Sequence, residues 1–333
     1  MTGDQTARPG GQLLVRRLGK EAVVVDVATG AVFRVAGAGV GIAEALARGE
    51  TPGAVAERLA RETGIEPGRA RADVEAVAVA LAADGLAATR DEPAFAPAWN
   101  GLELRWDGRA VLRIDGSGRR AWLLGDAAAP PSPGARLRWA LPHLLWLSGG
   151  TVLHAAAARF GGAVLALTGA SGSGKTTLGR LLAGAAGPVS EDLLLLRDGP
   201  AGPEAVLGGE AAVRAWEARE VPRLATGYEA RLEGDDLAVL TAGPALPLAG
   251  IWLLDAVQRE GDEITLAVAT GAEALALLLH QSFGETGVAE VWRRIVDASA
   301  DLVEVVPIFR ASVPGTLSQL EDAARRYRAS VAS

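Results

Sequence analysis

The chain has no cysteine among its 333 residues, so disulfides and thiolate metal sites are excluded, and a reducing, cytoplasmic setting is the expectation. No run of eighteen apolar residues occurs, so no membrane span is expected, and the opening "MTGDQTARPGGQ" lacks the basic-then-apolar pattern of an export signal. Clustered positive charge is missing too. Residues 1–90 balance 11 basic against 11 acidic residues, and the remainder carries 22 against 29, giving the net charge of −7. That distribution argues against a nucleic-acid partner. Lysine is nearly absent: only Lys20 and Lys175 occur, arginine taking the other basic positions.

Lys175 stands in "GASGSGKTTL", residues 169–178. Gly169, Ala170, Ser171, Gly172, Ser173, Gly174, Lys175 and Thr176 fit G-x-x-x-x-G-K-[ST] in full, and Thr177 follows. An apolar run, "AVLALT", leads in as a buried strand, and "TTLGRLLAG" leads out as a helix. Glycines let loop N–H groups face a phosphate, and the helix N-terminus adds the positive end of its dipole. Lysine reaches β- and γ-phosphate oxygens as a compact ammonium, and Thr176 offers a hydroxyl to Mg²⁺. A nucleoside triphosphate, ATP or GTP, with Mg²⁺ is the ligand expected here.

Acidic partners come next. Glu191 and Asp192, in "GPVSEDLLLL", follow the loop by one helix and one very short strand. The spacing predicts one crossover back to the strand beside the loop. One carboxylate could hold Mg²⁺ and the other accept a proton from an attacking hydroxyl. Asp255, ending "GIWLLD", is either a metal-side carboxylate or the end of a core strand. "LSGG" at 147–150 precedes the loop and reads as a turn. His143 and His280 lie in apolar helical patterns without an assigned role, and no zinc spacing occurs.

The chain divides by pattern. Residues 13–35 read as short strands with a hairpin at Thr29-Gly30. Three helices follow: one ending at Gly49, one capped by Thr51 and stopped at Gly64, and one presenting Val74, Val77 and Leu81 on one face. Residues 10–90 therefore form a winged-helix-like module, 91–101 a linker, and 102–330 a second domain. In the latter, "LELRWDG" and "AVLRIDGSGRRAWLL" predict antiparallel strands, residues 127–135 a loop, and "RLRWALPHLLWLSGG" a helix interrupted near Pro142, before the α/β nucleotide core.

"LHAAAARFGGAVLALTGASGSGKTTLGRLLA" followed by "VSEDLLLL" resembles the HPr serine kinase/phosphorylase family and its smaller relatives, as do "LPLAGIWLLD", "ALALLLHQSF" and "VVPIFRASVPGTLSQL". The resemblance spans residues 100–325, and only the loop-plus-acid stretch is specific. It implies transfer of a γ-phosphoryl group to a serine hydroxyl. His154 would then steady the loop, Glu191 would be the base in place of the family's Asp, and Asp192 would join Thr176 on Mg²⁺. The family's later Glu-x-Arg-Gly signature is not identifiable, and Glu217 and Glu220 match no motif. The first module resembles the PqqD-like family through "VVVDVATGAVFRV", "TPGAVAERLARETG" and "DVEAVAVALAADGLA". That implies binding of a precursor-peptide leader as an added strand, along Val32–Val35 and a helix from Arg71 to Asp84.

The combined expectation is a multidomain α+β and α/β chain: a leader-binding module followed by a P-loop kinase domain that phosphorylates a peptide hydroxyl. A nucleotide-switched peptide chaperone without catalysis and a small-molecule hydroxyl kinase are the alternatives. Homo-oligomerisation stays open.

Overall fold

A computed structural model describes residues 13–83, 94–98, 101–227, 229–232, 236–254, 261–281 and 289–332. Asp255 and Asp84 lie outside the described residues. The chain is mixed α/β, with three sheets among the described residues.

Strands β1 (Leu13–Leu18), β2 (Glu21–Asp26) and β3 (Val32–Ala36) form an antiparallel meander, with Gly30 at positive φ in the expected hairpin. Helices α1 (Ala38–Ala47), α2 (Pro52–Thr63) and α3 (Pro67–Ala83) follow. Thr51 accepts from the Ala54 N–H and Gly64 closes α2 in the left-handed conformation, so the caps fall where the sequence places them. Val24, Ala43 and Leu81 form a small core with Phe33, Val35 and Val77 packed on it, joining one face of the sheet to its own helices.

Next come β4 (Ala94–Ala98), β5 (Gly101–Trp106), β6 (Arg109–Asp115), β7 (Arg120–Leu123) and α4 (Pro133–Ser148). Residues 94–98, expected as linker, pair with β5 instead. Pro97 is compatible with a strand here because β4 is the edge of its sheet, where a missing N–H costs no ladder bond. Helix α4 begins at Pro133, capped by Ser132, and continues unbroken through Pro142, contrary to the expected interruption. Residues 140–147 are all buried, so packing on every side offsets the hydrogen bond lost at Pro142. "LSGG" is the turn expected, with Gly149 closing the helix.

The core holds β8 (Thr151–His154), β9 (Ala156–Phe160), β10 (Ala163–Gly169), α5 (Lys175–Ala183), β11 (Pro188–Ser190), β12 (Leu193–Gly199), β13 (Gly202–Val206) and α6 (Gly209–Gly227). Beyond it lie β14 (Glu229–Arg231), α7 (Asp236–Thr241), β15 (Ala245–Leu254), β16 (Thr265–Ala269), α8 (Gly271–His280), α9 (Ala289–Val305), β17 (Ile308–Ser312) and α10 (Leu317–Ala332). Among the described residues only β10, β15 and β17 run parallel as neighbours; the sheet order is β11-β9-β10-β15-β13-β12-β8, with β17 also on β15 and β16 on β17. β11 thus lies one strand away from β10, across β9, and not beside it as the crossover argument expected. β8 and β9 flank Ala155, while β11 and β12 flank Glu191-Asp192. Because β11 pairs β9 and β12 pairs β8, the sheet curls back on itself.

The two ends of the chain share a core. Val23, Val25 and Val27 on the second face of the first sheet cluster with Ala272, Leu275, Ala276 and Leu279 of α8 and with Val291, Ile295 and Val296 of α9. Arg16 adds ion pairs to Asp297, at 3.2 Å, and Asp301, at 3.8 Å. The β1–β3 sheet is therefore covered on both faces, by its own helices and by α8 and α9.

Candidate phosphate-loop site

β10 is buried along almost its whole length and delivers the chain to Gly169 beside the end of β15. Gly169 has φ +152°, and a Cβ there would lie 2.8 Å from the Leu254 carbonyl oxygen and 2.9 Å from Ser173 Oγ. Only glycine fits. Gly174, at φ +93°, turns the loop into α5, whose first turn no side chain caps. Its leading N–H groups are available to an anion.

Lys175 is buried and folds back over the loop. Its Nζ donates to the carbonyls of Gly169, at 2.7 Å, and Ala170, at 3.2 Å. Burial lowers its pKa, and the charge of Asp192 opposes that shift. Ser173 Oγ is buried without a hydrogen-bond partner, an atom suited to a phosphate oxygen. Ala170, Ser171, Gly172 and Thr177 are exposed around it.

The acidic stretch reaches the loop through the bent strands. Thr176 Oγ1 donates to the Glu191 carbonyl at 3.4 Å, and the Ala155 N–H donates to the Asp192 carbonyl at 3.1 Å. Ser190 Oγ donates to the Ala155 carbonyl at 2.7 Å. Across this junction, Nε2 of His154 stands 3.0 Å from Oδ1 of Asp192, while Thr168 Oγ1 binds the His154 carbonyl at 3.0 Å. His154 thus contacts the acid and the strand leading to the loop. The hydrogen bond from His154 is the main cause holding Asp192 below the ordinary aspartate range; the charges of His154 and Lys175 add to it, against burial.

The two neighbouring acids are in different circumstances. Asp192 keeps 69% of its side chain exposed. Glu191 is gripped by Arg180, which donates through Nε and Nη2 at 2.9 Å each. The Glu191 N–H in turn donates to Glu210 at 2.6 Å, and Glu210 is paired with Arg214 one turn along α6.

A cleft of about 510 Å³ opens beside the loop, with Arg138, Thr176, Asp192, Glu210, Arg214 and Glu217 on its walls. Burial raises the pKa of Glu217, opposed by Arg138, whose Nε lies 3.8 Å away, and by Arg214. Glu220 is fully buried and accepts from Arg219, Arg223 and the Arg231 N–H, so it ties α6 to β14. Arg138, Arg180, Glu210 and Arg214 were not singled out from the sequence. The Glu210/Arg214 spacing of four is an ordinary helix-surface pattern, and only the fold aims it at the site.

The arrangement can bind a phosphorylated ligand through the loop and offer Thr176 and Asp192 to a cation. Among the described residues no cluster of three or more His, Asp or Glu is placed to hold a metal by protein groups alone.

Residues 21–87 match the family model described as Coenzyme PQQ synthesis protein D (PqqD), a span running from β2 through α3. No curated protein and no solved structure matches the chain.

Proposed function

We propose that this protein captures a ribosomally made precursor peptide through its PqqD-like module and phosphorylates a hydroxyl of that peptide. The first half of the reading is supported by the PqqD match. The second rests on one observation: Ser173, Lys175, Thr176 and the His154–Asp192 pair converge where the phosphate loop meets the bent strands. The finer fold assignments, a winged-helix module and an HPr-kinase-like domain, belong to this reading.

Lys175 would exchange its two loop carbonyls for phosphate oxygens, and the uncapped first turn of α5 would hold the same group. Thr176 and Asp192 would hold Mg²⁺, which when bound neutralises charge on the transferring phosphoryl group. His154 keeps the Asp192 carboxylate ionised and oriented. As the bond between the γ-phosphoryl group and the nucleoside diphosphate breaks and the new P–O bond forms, a proton acceptor must take the hydroxyl proton. Glu191 is poorly suited while Arg180 occupies both of its oxygens. Glu217 faces the same cleft, and burial raises its pKa, so it is the candidate base. Tethering by the leader raises the local concentration of the acceptor, so the cleft needs little selectivity of its own.

Intact mass of a precursor peptide encoded beside this gene, co-expressed with the wild-type protein or with Lys175→Ala, tests the proposal. A gain of one phosphoryl group with the wild type only is the expected result. A peptide that binds but never changes mass removes the kinase. The clamped Glu191 would then favour the nucleotide-switched chaperone. Activity that does not need the PqqD-like module would point instead to a small-molecule hydroxyl kinase.

A further inference from the structure

A second cleft, of about 430 Å³, adjoins the one beside the phosphate loop. It lies between β11, the end strand of its sheet among the described residues, and the start of α6 at Gly208 and Ala211. Its volume falls in the range of binding pockets, roughly 300–1,000 Å³. Glu191, Glu210 and Arg214 line both clefts. They form a connected row: the Glu191 N–H donates to Glu210, and Glu210 holds Arg214. Thr176, Asp192 and Glu217 stand on the loop side of that row only.

Charge in the second cleft is uneven. Glu191 gives both carboxylate oxygens to Arg180, and Glu210 accepts from Arg214 and from the Glu191 N–H, so both acids are already met. Arg159 is not. It is exposed on β9, and among the described residues it has no carboxylate partner; its Nε reaches the Gly161 carbonyl, at 3.4 Å, in its own hairpin. A carboxylate entering the cleft can be met there by a two-pronged guanidinium contact. The walls carry no aromatic ring to stack on a base, which favours a peptide over the nucleoside as occupant.

Strand register places Arg159 relative to the reacting groups. Ala158 of β9 stands opposite Pro188 of β11, and Ala157 opposite Ser190. Arg159 is therefore level with Gly187, at the other end of β11 from Asp192. At about 3.3 Å per residue, an extended peptide running along β11 covers that length with about five residues of its own.

We propose that the second cleft takes the stretch of precursor peptide next to the acceptor hydroxyl, and that Arg159 selects a glutamate or aspartate about five residues from that hydroxyl. This rests on the kinase reading above and adds a substrate class: a core segment that is extended and acidic near its hydroxyl residue. The leader fixes the peptide to the first module, and the second cleft decides which hydroxyl crosses the Glu191–Glu210–Arg214 row to reach Thr176, Asp192 and Glu217.

The test uses the full-length protein with Mg·ATP and the precursor encoded beside this gene. The phosphorylated residue is kept, and Glu, Gln or Lys is placed in turn about three to six residues to either side of it. Phosphorylation of each peptide by the wild type and by Arg159→Glu is followed by intact mass. The wild type should prefer Glu over Lys by about ten-fold in kcat/KM at one spacing, and Arg159→Glu should reverse that order. The swap on the peptide decides the matter by itself if Arg159→Glu fails to fold. Separately, p-benzoylphenylalanine in place of Ala211 should cross-link to the core beside the acceptor and not to the leader. Equal rates for the Glu and Lys peptides, with no cross-link to the core, overturn this cleft as the acceptor-segment site and leave the kinase standing. A wild type that phosphorylates none of the peptides removes the kinase reading, and this proposal with it.

Discussion

Nε2 of His154 lies 3.0 Å from Oδ1 of Asp192, across the junction of two bent strands at the foot of the phosphate loop. The contact holds the carboxyl below the ordinary aspartate range. The ionised folded form is favoured, so this contribution to stability is present above the unfolded aspartate pKa and is lost as pH falls through the lower folded value. His154→Ala should move the Asp192 titration upward, toward the ordinary range. Carboxyl carbon NMR of protein labelled at aspartate reads this directly. An unchanged midpoint would mean that the imidazole does not govern the acid.

Lys175→Met should leave the fold intact, since an apolar chain of similar length replaces a buried ammonium whose pKa burial already lowers. Wild-type protein should melt at a higher temperature with Mg·ATP than without it, by linkage. The variant should show no such rise. A nucleotide-dependent shift that persists in Lys175→Met would place the nucleotide elsewhere.

Gly169→Ala tests the loop without touching charge. The added Cβ meets backbone at 2.8 Å in a conformation that L side chains avoid. A loss of about 2–3 kcal/mol in stability is expected, from the strained backbone together with the clash. Urea denaturation measures it. Gly162→Ala, where nothing lies within 4 Å of the new Cβ, is the matched control.

Arg136, 1% exposed, donates to the carbonyls of Pro131, Val111, Leu124, Asp126 and Ala129. It pins the chain between β7 and α4. Arg136→Met should cost about 3 kcal/mol or more, because several carbonyls lose their donor at once. A melting temperature within a degree of wild type would contradict this.

Leu275→Ala should cost about 3 kcal/mol, because Leu275 sits in the core shared by the first sheet, α8 and α9. Arg16→Ala, at the exposed ion pairs over the same contact, should cost well under 1 kcal/mol. Unfolding should be one transition, with probes in β2 and in α9 moving together. Separate transitions would show the PqqD-like module to be independent of the rest.

Local signals were the readable part of this chain. The hairpin at Thr29-Gly30, the Thr51 and Gly64 caps, the strand–loop–helix around Lys175 and the strands flanking Asp107-Gly108 each depend on a few neighbouring residues. Sterics and hydrogen bonding at those residues suffice to fix them. Two prolines sit inside regular elements for the same reason. Pro97 is tolerated because β4 is an edge, and Pro142 because α4 is buried, and neither circumstance is written beside the residue.

The sequence by itself determined the strand, glycine-rich loop and helix around Lys175, since all three adjoin in the chain. It also placed Glu191 and Asp192 near that loop. Only the tertiary structure separated them: Arg180 reaches Glu191 from α5, and His154, thirty-eight residues before Asp192, meets it through the pairing of β8 with β12. It alone brought Glu217 to the cleft and laid α8 beneath the first sheet. Apolar stripes on a helix state that a face will be buried; which surface buries it is decided when distant elements pack.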